Sequence, residues 1–114
     1  MVEYITDVLN DDVIYREKIG NRLTATTTQK VQIRIDSNME SRVLRQIPAN
    51  QLIEFNHVQK IISTGKIRIK IYIEGKFSGW MSYQTDQGED LIKMEDDNSL
   101  EIFNFPEGEI PLYD

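Results

Sequence analysis

The chain reads as an all-β protein, and three observations predict it. β-Branched residues, isoleucine above all, carry the apolar load, whereas alanine occurs only at Ala25 and Ala49. Branched side chains suit a pleated, half-buried surface, and alanine is the strongest helix former. Residues 66–74 place Ile67, Ile69, Ile71 and Ile73 on one side and Lys66, Arg68, Lys70, Tyr72 and Glu74 on the other. That period of two belongs to a strand with one buried face. Short apolar runs of this kind recur between turn-forming clusters, the pattern of a small barrel.

Taken in order, Val2, Ile5, Val8 and Leu9 are spaced for a weak helical turn or two ahead of Asn10-Asp11-Asp12, and residues 13–19 for a strand. Val31, Ile33 and Ile35 alternate with Lys30, Gln32, Arg34 and Asp36, giving the next strand. A longer one covers about 51–62, where the alternation slips near residues 56–59 and predicts a bulge or bend. Ser63-Thr64-Gly65 and Gly75-Lys76 supply turns on either side of the isoleucine strand, making a hairpin on each side. Residues 77–83 continue as a strand broken at Gly79, Thr85-Asp86-Gln87-Gly88 is a turn, and residues 91–94 form a short last strand. From Asp96 onward, with Pro106, Gly108 and Pro111, the chain reads as extended or loosely ordered.

With 114 residues there is room for one core. The expected layout is an N-terminal extension over 1–22, a barrel over 23–97 and an acidic, partly apolar tail over 98–114. The acidic N-terminus has no run suited to a signal peptide, and no stretch approaches the roughly 20 apolar residues of a membrane helix. A soluble cytoplasmic protein without membrane contact is expected.

The net charge of −6 conceals an asymmetry. Residues 1–29 carry three basic and five acidic side chains, residues 30–76 nine and four, and residues 77–114 one and ten. A basic middle beside an acidic end means internal neutralisation or two faces for different partners.

Catalytic chemistry finds little purchase. Without cysteine there are no disulfides, thiolate metal sites or cysteine nucleophiles. His57 is the only histidine, no serine has an evident base, and no nucleotide-binding or nucleophile-elbow glycine pattern occurs. Asp86-Gln87-Gly88-Glu89-Asp90 lacks the ligand spacing of a calcium loop. The expectation is a non-enzyme with no cofactor and no metal.

The stretch VQIRIDSNMESRVLRQIP, residues 31–48, resembles the opening of bacterial-type SH3-like (SH3b) domains. Ile33 and Arg34 match an apolar-x-apolar-Arg strand, residues 37–41 its polar loop, and Val43, Leu44, Ile47 and Pro48 a second strand ending in Pro. Gly79-Trp80-Met81 stands where that family has Gly-Trp and an apolar residue. The similarity covers about residues 29–94. Asp36-Ser37 replaces a frequent Gly-Pro and Asn50 a usual Gly; Asn tolerates the left-handed backbone such a turn needs. The resemblance implies a small SH3-like barrel that binds peptides, cell-wall fragments or protein surfaces and does not catalyse.

The candidate site is the basic-aromatic face of the isoleucine strand, Arg68, Lys70 and Tyr72, with Arg34, joined by Trp80 and Tyr83. Tyrosine and tryptophan give stiff contact area with a polar handle. Tyr72 is expected to be exposed, whereas Trp80 serves equally well as a plug for the core. The partner is a protein or peptide, acidic in character, and the chain is an interaction module or a small subunit of an assembly. The alternative is single-stranded nucleic acid on the same face, where Lys66, Arg68 and Lys70 would meet phosphate and Tyr72 a base. In the tail, Phe103, Phe105, Ile110, Leu112 and Tyr113 either wrap back over an open sheet edge or add to a partner's sheet.

Overall fold

The computed structural model describes residues 3–10 and 12–105, and over these residues the chain is all-β. The strands are β1 (Tyr4–Asn10), β2 (Val13–Lys18), β3 (Leu23–Thr27), β4 (Val31–Arg34) and β5 (Val43–Ile47). They continue with β6 (Leu52–Ile61), β7 (Ile67–Ile73), β8 (Lys76–Ser82) and β9 (Ile92–Met94), followed by a 3-10 helix, Asp97–Phe103. All pair antiparallel in the order β1-β2-β6-β7-β8-β4-β5, with β3 attached to β6 and to β9.

The long strand β6 organises this arrangement. Its first half pairs with β3, from Leu52 opposite Thr26 to Phe55 opposite Leu23, and its second half pairs with β2, from His57 opposite Glu17 to Ile61 opposite Val13. The register with β7 shifts between Glu54 and His57, where the two halves meet. The predicted slip is therefore a bulge, placed at the start of residues 56–59. A bulge bends its strand and sharpens the twist. Here the bend lets one strand serve two neighbours, so the sheet branches. The expected closed barrel is not formed: the strand path runs open from β1 to β5.

The isoleucine strand is β7, and its alternation is real. Ile69 and Ile71 are fully buried, Ile67 and Ile73 half-buried. They join Phe55, Ile33, Ile53, Val58, Met81, Ile92 and Ile102 in one core. Burying each such side chain stabilises the fold by about 1.5–3 kcal/mol. The β7–β8 hairpin turns through Glu74 (φ +52°) and Gly75 (φ +78°). Two successive left-handed residues match the twist of the flanking strands. Asn50 also takes the left-handed backbone, at φ +63°.

Several expectations are corrected. The N-terminal segment is strand β1 rather than a helical turn, because pairing with β2 from Tyr4–Lys18 to Val8–Ile14 satisfies its backbone. Strand β3 carries no mark in the sequence reading, although Leu23, Ala25 and Thr27 alternate inward. Ile35 lies beyond β4 and is exposed, since the β4–β5 register shifts at Ile33 and Arg34. Strand β8 runs unbroken through Gly79. After Asp96 the chain forms the 3-10 helix, which sets Ile102 into the core and Phe103 beside it. Residues 106–114, with Ile110, Leu112 and Tyr113, lie outside the described residues, as does Val2. No helix among the described residues is long and apolar enough to cross a membrane.

Candidate functional site

Cross-strand partners in a sheet share a face, so the register alone assembles the site. Arg16, Val58, Ile69 and Met81 form one row facing the core. The neighbouring row, Glu17–His57–Lys70–Trp80–Arg34, crosses five strands on the opposite, outer face. Beside it runs Tyr15–Gln59–Arg68–Ser82, also on the outer face.

Rings meet across the two outer rows. His57 lies 5.2 Å from Tyr15 and meets Trp80 edge-on at 5.5 Å. Trp80 is only 7% exposed yet lies outside the core cluster, so it plugs a small second cluster on the outer face. Burial lowers the His57 pKa, with Glu17 opposing and Lys70 reinforcing the shift, and its buried Nε2 has no partner. A half-buried imidazole of this kind is a packing element with a pH response.

Gly79 explains how β4 reaches this face. A Cβ at position 79 would lie 2.4 Å from Ile33 Cγ2 and 2.7 Å from the Arg34 carbonyl, and its φ of +136° disfavours side chains. Glycine lets the two backbones approach closely, and the approach delivers Arg34 opposite Trp80.

Residues 36–41 then fold over the end of the face. The turn is wired internally: Asp36 Oδ1 accepts from the Ser37 amide, Asn38 Oδ1 from the Glu40 amide, and Ser41 Oγ donates to the Asn38 carbonyl. Its carbonyls hold the arginines. Arg34 Nη1 donates to Ser41 O at 2.6 Å, and Arg68 Nε to Ser37 O at 2.9 Å. Arg68 Nη1 also donates to Ser82 Oγ at 2.7 Å.

Of the six residues expected from the sequence, five lie on the outer side of the sheet: Arg34, Arg68, Lys70 and Trp80 within the face and Tyr72 at its margin. Arg68 is not exposed as expected; at 2% accessibility it is covered by the 36–41 turn. Tyr72 is half-buried at the margin, with the Arg22 guanidinium 3.6 Å above its ring and Phe77 against its edge. Lys70 Nζ stands 5.6 Å from the Phe77 ring. Tyr83 belongs to the core side, stacked at 3.9 Å on Phe103 of the 3-10 helix, and takes no part in the face. Lys66 is paired with Asp86 at 2.8 Å.

Sequence reasoning missed Tyr15, Gln59 and Met39 and set His57 aside. Alternation in β6 marks His57 and Gln59 as outward once the bulge is placed, but nothing in the sequence brings β2 alongside them. Among the described residues, no group of three histidine, aspartate or glutamate side chains is placed to hold a metal ion. No family model, no curated protein and no solved structure matches the chain.

Proposed function

We propose that the chain is a non-enzymatic interaction module whose outer sheet face binds an acidic segment of a partner protein, as a free-standing module or a small subunit of an assembly. One observation carries the reading. Arg34, Arg68 and Lys70 stand near one another beside the rings of the outer face, and among the described residues none of the three is paired with a carboxylate. In a chain of net charge −6, carboxylates are abundant, so cations left without them on one face are complementary to an outside partner. Aromatic side chains beside them supply contact area at low entropic cost.

The resemblance to bacterial SH3-like domains supports the same reading, since those domains bind peptides and protein surfaces. Its Gly-Trp pair, Gly79-Trp80, is the point at which β4 meets β8. The cytoplasm is the setting this proposal assumes, from the cysteine-free composition.

Trp80 is the only tryptophan and lies within the face, so its fluorescence reports binding directly. The test titrates the protein with a short peptide of aspartate and glutamate, and separately with an oligothymidylate of similar length, at matched ionic strength. The proposal expects the peptide to bind and Lys70→Glu to weaken it by about tenfold, as for loss of one charged contact. Binding of the oligonucleotide in preference to the peptide would overturn it in favour of nucleic acid.

A further inference from the structure

Among the described residues the ladder between β4 and β8 pairs only Arg34 with Trp80. Beyond that pair the strands part, and a cavity of about 280 Å³ opens between Lys30 and Gln32 on one side and Ser82 on the other. Arg68, Arg34 and Met39 of the 36–41 turn are among its lining residues, and no carboxylate is.

The donors here are incompletely served. Arg68 is buried, uses two of its nitrogens on neutral acceptors, and has a buried Nη2 with no partner. A guanidinium removed from water is tolerated when an anion shares its environment. Ser82 Oγ accepts from Arg68, but its own proton is directed at the Met39 thioether, at 3.8 Å. A thioether is a weak acceptor. It occupies the place where a strong acceptor would serve Ser82, and its unbranched side chain moves readily.

We propose that this cavity is an oxyanion-binding site for a carboxylate or phosphate group, which displaces the Met39 side chain to reach Arg68 and Ser82. Arg68 Nη2 and the Ser82 hydroxyl then donate to the anion, while Arg34 and Lys30 supply charge from the walls. Arginine presents its donors in a planar fork that suits both groups. The proposal deepens the reading above and rests on it for the carrier, since an acidic segment laid on the outer face would bring a carboxylate to this opening.

The experiment titrates the full chain, labelled at arginine Nε and methionine methyl groups, with inorganic phosphate and with acetate against sodium chloride at equal ionic strength. Saturable shifts of the Arg68 Nε–H and Met39 methyl signals are expected with both oxyanions and not with chloride. Arg68→Met should abolish them. Arg34→Gln, at the half-buried rim, should weaken phosphate by about tenfold and serves should Arg68→Met fail to fold. Met39→Ala should tighten binding by removing the displaced group. Equal responses to phosphate and chloride, or phosphate binding unchanged in Arg34→Gln, would overturn the site. Phosphate binding without acidic-peptide binding keeps this site and discards the peptide reading; peptide binding indifferent to Arg34→Gln does the reverse.

Discussion

Replacing Arg68 by methionine asks whether that side chain is a structural strut or a held-back donor. Burial, and then the nearby Arg34, lower its pKa from the ordinary arginine value to about 10. The folded value lies below the unfolded one, so the fold disfavours the charged form. That cost is fully present at neutral pH, persists up to about pH 10 and fades as the pH rises towards the ordinary arginine value. At about 1.36 kcal/mol per pH unit it is on the order of 3 kcal/mol. Opposing it are the hydrogen bonds to Ser37 O and Ser82 Oγ, each contributing about 1.5–3 kcal/mol when the donor is charged. The two effects are of similar size. Arg68→Met, which keeps length and packs well, should therefore shift stability by less than about 2 kcal/mol in urea denaturation followed through Trp80, whereas breaking a carboxylate-paired buried arginine costs about 3–5 kcal/mol. Phosphate at ten times its Kd should stabilise the wild-type chain by about 1.4 kcal/mol and leave the variant unmoved. A loss above about 4 kcal/mol would refute the reasoning, because Arg68 would then be a compensated part of the core.

Other perturbations probe the scaffold that presents the face. Gly79→Ala drives a methyl group into Ile33 and the Arg34 carbonyl and should cost about 3 kcal/mol or more, with the Arg34–Trp80 pairing lost first in amide exchange. Ile102→Ala leaves a hole in the core beneath the 3-10 helix and should cost about 2–5 kcal/mol in the same denaturation assay. For His57 the lowered folded pKa means that the unfolded chain takes up a proton first. Stability should fall as the pH drops below the ordinary histidine value of about 6.5, and His57→Gln should flatten that part of the pH profile.

The strand pattern was legible where one side chain in two is buried, as in β7, and where turns are chemically marked, as at Gly75 and Asn50. It was not legible where pairing overrode local preference. Strand β1 owes its form to pairing with the adjacent β2 rather than to its own spacing, and β3 owes its form to β6 and β9, which no local window contains. The site followed the same division. Alternation put Arg68, Lys70 and Tyr72 on one side of β7 correctly, but their exposure depends on distant covers: residues 36–41 over Arg68 and Arg22 over Tyr72. Tyr83 was misplaced because the strand carries it past Met81 on the same inward side, where Phe103 waits from a segment read as loose. Closure of the barrel failed for a related reason, since a bulge visible in the sequence bends a strand without saying which neighbours will use the bend.

The most direct test of the account is a map of amide and side-chain shifts as the acidic peptide is added to the labelled chain. The account predicts that the perturbed signals cluster on the outer face, at Arg34, Met39, His57, Arg68, Lys70 and Trp80. Shifts centred instead on the 3-10 helix and Tyr83, or on Lys66 and Asp86, would contradict it.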